Sequence, residues 1–249
     1  MFPLSLGRYR PVTMEGMRHR VLACDYDGTL ATDGVCADAT VEALQRVAEA
    51  GIRLILVTGR TRDELESVFT HSRLFEAIVI ENGAVVIDVA SDSERLLAPR
   101  LPAALADELS RRGVDPLVIG RVLCSTSWSQ ESKLSAAIAR LGVERIVVRN
   151  RESAMVMPAG VNKRTGFEAA LRMIGELPSS AVAVGDGEND VAMFAVAGVS
   201  VAVANAVNIL KARADVVLDQ PNGRGVRALT AALVAGDLGT LTARSPLAG

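Results

Sequence analysis

The sequence predicts an α/β fold, a Rossmann-like parallel sheet core interrupted by an inserted α+β module, and three observations carry that expectation. Short apolar runs at residues 21–24, 53–57, 77–80 and 181–184 alternate with stretches of helical periodicity. Such alternation with short connections implies a parallel sheet covered on both faces through right-handed crossovers. Several runs end abruptly in polar residues, as strands do when they deliver side chains to their C-terminal edge. The rhythm then breaks after residue 83 and resumes after residue 158.

Residues 21–24 form the first buried strand, ending in Asp25-Tyr26-Asp27-Gly28-Thr29. Thr40 is placed to cap a helix over 41–50, where Val41, Leu44, Val47 and Ala48 share a face and Gly51 ends the run. The strand at 53–57 ends in Thr58-Gly59-Arg60, and Thr61 or Asp63 starts a second helix before the strand at 77–80. Beyond Glu81-Asn82-Gly83, residues 84–88 and 95–97 read as a hairpin. A helix near 102–112, a strand at 118–123, a helix at 131–141 and strands at 145–148 and 154–157 follow. This places an α+β module at 84–158. The parallel rhythm returns with a helix at 163–174, a strand at 181–184, a helix at 190–197 and short strands at 199–203 and 216–218. Residues 18–83 and 159–249 therefore belong to one core, and residues 1–17 read as a loose tail.

Composition narrows the function. With 249 residues, 49% of them apolar, the chain can bury one sizeable core and a smaller second one. Its 27 Lys and Arg residues are interspersed with 29 Asp and Glu for a net charge of -2, so the basic stripe of a nucleic-acid binder is missing. Aromatic residues make up 3% of the chain, too few for base-stacking platforms. A small-molecule partner is expected, with the chain acting as a monomer or homodimer. Cys24, Cys36 and Cys124 have neither disulfide nor zinc spacing, which suits a reducing cytoplasm. Pro3, Gly7, Arg8, Arg10 and Pro11 interrupt the N-terminal stretch, which reads as neither signal peptide nor membrane anchor, and Met14 and Met17 are alternative starts.

In open α/β sheets, ligands bind beyond the carboxyl ends of the strands near the point where strand order switches. Asp25 and Asp27, Thr58 and Asp186 are expected there, with Lys163 opening a helix just after the inserted module. Asp25 and Asp27, one residue apart at a strand end, can face one pocket, with Gly28 allowing a sharp departure of the chain. Asp186 and Asp190 add two more carboxylates, and an oxygen-only cluster suits Mg2+. An aspartate is already ionised at neutral pH and can attack phosphorus, forming an aspartyl-phosphate. Asp25 is the expected nucleophile and Asp27 the acid that protonates the leaving group and then activates water. Lys163, Thr58 and the cation would neutralise and position the phosphoryl oxygens.

Taken singly, these features have blander readings. Asp-x-Asp-Gly is more often a turn, Thr-Gly-Arg a strand-to-helix turn, and a lysine a solvated helix residue. Gly185-x-Gly187 resembles a dinucleotide loop only until Asp190 places an acid where a pyrophosphate would sit. Arg60 meets substrate or the module, or pairs with Glu64 along its helix. Trp128, Glu131, Arg149 and Arg151 stand out within the module, but packing and solvated surface are the ordinary fates of such residues, as they are for His19 and His71.

Together, Asp25-Tyr26-Asp27-Gly28-Thr29-Leu30, Thr58-Gly59-Arg60, Lys163 and Gly185-Asp186-Gly187-Glu188-Asn189-Asp190 resemble, in order, the four motifs of the haloacid dehalogenase superfamily of phosphatases. Tyr26 departs from the usual Leu or Phe. The short spacing between the first two motifs puts the insertion after the second, which resembles the class IIB cap of the Cof-type sugar phosphatase branch, whose relatives include sucrose-phosphate, mannosyl-phosphoglycerate and archaeal-type phosphoglycolate phosphatases. The resemblance implies Mg2+-dependent hydrolysis of a small phosphate ester, a sugar phosphate or a related one. It places Asp25, Asp27, Asp186 and Asp190 at the metal and Gly28, Gly59, Arg60, Asn82, Gly83 and Asn189 at phosphate or substrate. Phosphoryl transfer to a hydroxyl and non-catalytic phospho-ligand sensing are the alternatives; dehalogenation is disfavoured by Asp27.

Overall fold

The computed structural model describes residues 19–241, so the tail expected at 1–17, with Met14 and Met17, lies outside it. Strand β1 (Val21–Asp25) is buried along its whole length, as an apolar run is at the centre of a sheet covered on both faces. A small hairpin, β2 (Ala31–Thr32) and β3 (Val35–Cys36), leads into α1 (Asp38–Glu49). The chain continues through β4 (Arg53–Val57), α2 (Arg62–Val68), β5 (Ala77–Ile80) and the hairpin β6 (Val85–Asp88) and β7 (Ser93–Leu96). Next come α3 (Ala103–Arg111), β8 (Val118–Ile119), β9 (Cys124–Ser127), α4 (Glu131–Leu141), β10 (Ile146–Asn150) and β11 (Ser153–Met157). The return consists of α5 (Lys163–Met173), β12 (Ala181–Gly185), α6 (Val191–Phe194) and β13 (Val199–Ala202). It closes with α7 (Asn208–Lys211), β14 (Val216–Val217) and α8 (Asn222–Ala235).

The large sheet has the order β14-β13-β12-β1-β4-β5-β6-β7, parallel up to β5 and antiparallel beyond it. From β1 the chain builds outward to β4 and β5 on one side and, later, from β12 to β14 on the other. The crevice beyond the C-terminal ends of β1 and β12 is therefore the switch point of the sheet. Register aligns its contents: Asp25 lies opposite Val57, and Cys24 opposite Val184, so Thr58 and Asp186 follow at the same edge.

The hairpin expected to open the inserted module instead extends the core sheet. Val85 pairs with Ile80 and Val86 with Val79, and Val85, Val86 and Ile87 bury their side chains in the core cluster. The separate four-stranded sheet, β10-β11-β9-β8, packs on α3 and α4 around Leu105, Leu109, Cys124, Leu134 and Val156. The stretch expected as one strand at 118–123 is a two-residue strand and a turn, and Cys124–Ser127 forms the strand proper. Helix α1 begins at Asp38 without a side-chain cap, leaving Thr40 buried inside it. Thr61 does cap α2, in a reciprocal capping box with Glu64.

Between β5 and β6, Glu81, Asn82 and Gly83 have consecutive positive φ angles of 52°, 54° and 101°. The turn aims the buried Glu81 carboxylate at the module's connection, where it accepts the backbone N–H groups of Arg121, Val122 and Leu123 at 2.6, 2.7 and 3.1 Å. Glu81→Ala strands these donors, at a cost of about 1–3 kcal/mol for each one left buried without a partner. A urea midpoint lowered by the equivalent of about 2–5 kcal/mol is expected; an unchanged midpoint would show that the three donors are satisfied without Glu81.

Candidate active site

The side chain that organises the crevice is Lys163, fully buried at the start of α5. Its ammonium donates to Asp25 Oδ1 at 2.5 Å and to Asp190 Oδ1 at 2.7 Å. Asn162 ends the preceding chain as the helix N-cap, accepting the Arg164 and Thr165 N–H groups and completing a capping box with Thr165. This start of α5 lies directly on the turn after β5. A Cβ at Gly83 would stand 1.9 Å from the Asn162 carbonyl oxygen, so a glycine is needed there, and its φ of +101° asks for one independently.

The acids arrive from the sheet edge. Asp25 is the last residue of β1, and Asp186 follows β12. Asp190 sits in the one-turn helix before α6, its Oδ2 accepting the backbone N–H groups of Asp186 and Gly187 at 3.0 and 2.9 Å. Gly28, at φ +78°, lets the first loop pass Asp186, whose Oδ2 would lie 2.2 Å from a Cβ. Thr29 Oγ1 is 3.5 Å from Asp186 Oδ1, and Asn205 donates to the Gly28 carbonyl at 2.8 Å. Neither contact was foreseen from the sequence.

Burial is the largest influence on Asp25, and it raises the pKa well above the ordinary carboxylate value. Lys163 opposes the shift, while Asp190 and Asp186 reinforce it. Asp186 is likewise raised by burial and by Asp190, with Arg151 and Lys163 opposing. For Lys163 burial works against the charge, but Asp190 and Asp25 outweigh it and hold the ammonium above its ordinary value. Three acids thus share a water-poor pocket with one lysine.

Donor atoms of Asp25, Asp186 and Asp190 lie within 4.8 Å of one another, all buried. An all-oxygen donor set with surplus negative charge fits a hard divalent cation such as Mg2+. Asp27, expected among these ligands, is absent from the cluster. Its half-exposed carboxylate turns to Arg60, which donates to both oxygens at 2.7 Å. The chain leaves β1 in a turn at Tyr26, so the two acids do not share the alternating geometry of a continuous strand.

Tyr26 supports this second pair. Its ring is fully buried edge-on to Phe69, with the Arg60 guanidinium 5.5 Å from its centroid. Its hydroxyl donates to the Gly34 carbonyl at 3.0 Å, and burial pushes its pKa up to about 12. Arg60 does not pair with Glu64, whose carboxylate is taken by the Thr61 cap.

Thr58 is buried at the end of β4, its Oγ1 accepting the Arg60 N–H at 3.2 Å. Gly59 follows with open space around it. Asn189 donates to Asn82 at 2.9 Å, and Asn82 donates to Met157 Sδ at 3.3 Å, so these two expected substrate contacts join the core to β11. From the module, Arg151 reaches across to hydrogen-bond Asp186. Glu131 accepts from Ser135 on its own helix, and Arg149 lies 4.8 Å from the Trp128 ring centroid.

The family model described as haloacid dehalogenase-like hydrolase matches residues 22–112 and 106–229 of this chain. Phosphoglycolate phosphatase 2 of Saccharolobus solfataricus is 30% identical over 235 residues, covering 90% of this chain and 96% of that protein. A phosphoglycolate phosphatase of Halorubrum lacusprofundi is 33% identical over 207 residues, covering 79% and 89%. Among solved structures, a HAD/COF-like hydrolase of Plasmodium vivax superposes with a TM-score of 0.74 at 20% identity, covering 90% of this chain and 98% of that one. A subclass IIB sugar phosphatase superposes with a TM-score of 0.63 at 20% identity, covering 80% and 93%. The two structural likenesses bear on the fold alone.

The raised carboxylates tie metal-free stability to pH. Asp25 and Asp186 hold protons in the folded state at pH values where the unfolded chain has released them, so stability falls as pH rises from about 4 through their folded values. A divalent cation held by these carboxylates would replace those protons. Mg2+ is therefore expected to raise the melting temperature more at about pH 8 than at about pH 5, as read by scanning calorimetry; equal shifts at both would contradict the charge account.

Proposed function

This chain belongs to the haloacid dehalogenase-like hydrolase family and is an enzyme of the phosphatase type, and from that premise we propose a Mg2+-dependent phosphomonoesterase that works through a phosphorylated Asp25. The observation that supports the reading best is the Lys163 ammonium held between Asp25 and Asp190 at the sheet's switch point. A nucleophilic carboxylate there has a fixed positive neighbour, which favours a phosphoryl group over a neutral one.

In the first step an Asp25 carboxylate oxygen attacks phosphorus and the phosphorus–ester oxygen bond breaks. The departing alkoxide takes a proton from Asp27. In the second step water attacks the aspartyl-phosphate, gives a proton to Asp27, and the phosphorus–Asp25 bond breaks to release phosphate. One water is consumed and both aspartates are restored. Arg60 engages both Asp27 oxygens, so it must yield one of them whenever that carboxyl carries the proton. Thr58 accepts from the Arg60 backbone and keeps its own O–H for a phosphoryl oxygen. Asp25, Asp186 and Asp190 would hold the cation, which supplies positive charge against the phosphoryl oxygens.

Relatives named as phosphoglycolate phosphatases at 30% and 33% identity support a short phosphorylated acid as substrate; small sugar phosphates form the neighbouring class. The reducing cytoplasm remains the proposed location: Cys24, Cys36 and Cys124 are all free thiols, and no helix among the described residues is long and apolar enough to cross a membrane.

Phosphate release from phosphoglycolate, sugar phosphates and nucleotides, with Mg2+ or EDTA, tests the reading. Wild type should release phosphate only with the metal, Asp25→Asn should release none, and Asp27→Asn should lower kcat by about 10²–10⁴-fold. Metal-dependent turnover by Asp25→Asn would remove Asp25 as nucleophile.

A further inference from the structure

The tip of the β10–β11 hairpin is the part of the inserted module that meets the acid cluster directly. Arg151 lies there at φ 50°, a left-handed conformation that a bulky side chain seldom adopts without a reason. Its guanidinium pairs with Asp186 while remaining 47% exposed, so it stands at the mouth of the crevice. Arg149 braces the tip, donating to the Arg151 carbonyl at 2.9 Å while lying over the Trp128 ring. Beside it, Asn150 Oδ1 is buried without a partner and faces Gly187, where a Cβ would stand 3.2 Å from it. Rotation of that amide exchanges the acceptor for N–H donors.

Asp186 is also one of the three carboxylates that would hold the cation. With a cation held by these carboxylates, Asp186 would no longer need the guanidinium, and Arg151 would be free near the Asp25 carboxylate. We infer that Arg151, with Asn150 beside it, reads a carboxylate carried by the substrate, exchanging the Asp186 carboxylate for the substrate's own. This rests on the phosphatase reading above and deepens it. A guanidinium fork matches a carboxylate with two parallel hydrogen bonds, which a neutral hydroxyl cannot reproduce. Arg151 stands on Asp186, and the donor atoms of Asp186 and Asp25 lie within 4.8 Å of one another, so the acid group this guanidinium would read is one carried close to the phosphorus. The proposed match is therefore to short phosphorylated acids in preference to neutral sugar phosphates.

Calorimetric binding to the full chain in Mg2+ buffer tests the inference apart from turnover. Asp25→Asn is compared with Asp25→Asn/Arg151→Gln and Asp25→Asn/Arg151→Lys, using phosphoglycolate and ethyl phosphate, which lacks the carboxylate. Arg151→Gln should weaken phosphoglycolate binding by about 10- to 100-fold and ethyl phosphate binding by less than about 3-fold, with Arg151→Lys in between. Equal weakening of both ligands, no weakening of either, or no preference for phosphoglycolate in the Asp25→Asn protein would each overturn it. Failure of the phosphatase reading shows separately, as no phosphate release by wild type from any ester.

Discussion

One buried ammonium sets the terms on which the rest of the crevice is built. Lys163 bonds two aspartates, and a third lies within reach of both. Desolvating such charges costs several kcal/mol per ion, and a buried pair seldom repays it in stability. The cluster is therefore better understood as a binding arrangement than as a fold stabiliser. One lysine cannot balance three ionised carboxylates, and burial together with that excess is what raises Asp25 and Asp186. Arg151 at the rim adds positive charge beside Asp186, and a cation held by the three carboxylates would add more.

Placing that lysine constrains the chain on both sides of the insertion. Lys163 lies 138 residues after Asp25, and it reaches the cluster because Asn162, the last residue before α5, rests on Gly83, just before β6. The two flanks of the intervening segment thus meet at the catalytic edge, and Glu81 ties a third point of it, at 121–123, to the same turn. The base of the module is anchored through backbone groups. Its hairpin tip is connected to the crevice floor through the Arg151 side chain, which can change partner without breaking the sheet. The acid cluster therefore belongs to fixed elements, and the proposed reading of substrate to a side chain at their mouth.

The parallel strands and the cluster were legible in the sequence because buried strands are uninterrupted apolar runs and their polar exits follow at once. Asp25, Thr58, Lys163, Asp186 and Asp190 all sit at such exits or at a helix start. What stayed hidden depended on partners far along the chain. The hairpin at 85–96 has ordinary strand composition, and only pairing with β5 decides which sheet takes it. The strand Cys124–Ser127 has three polar residues of four, because hydrogen bonding to β11 and not apolar run length defines it. Helix α8 starts with Gly223 and Gly225, which weaken a propensity-based reading, while Val226, Leu229 and Leu233 bury the face that stabilises it. Arg151 looked like any solvated arginine until the hairpin turn set it on Asp186.

Asp27 shows how a residue's place on the chain can be legible while the partner of its side chain is not. The pattern marked it as an acid beside Asp25, but the turn at Tyr26 sets its side chain apart from the cluster of three aspartates and gives it to Arg60. Tyr26 then has a role beyond filling space: its buried ring offers Arg60 a second resting surface. A cation–π contact of this kind contributes about 0.5–1 kcal/mol at exposed sites, less than a charge-assisted hydrogen bond to a carboxylate. That ordering keeps the guanidinium on Asp27 while both oxygens are free to accept. It also leaves a place for the guanidinium to remain when one oxygen takes a proton, so that in the proposed acid–base role Asp27 could change state without its partner leaving the site.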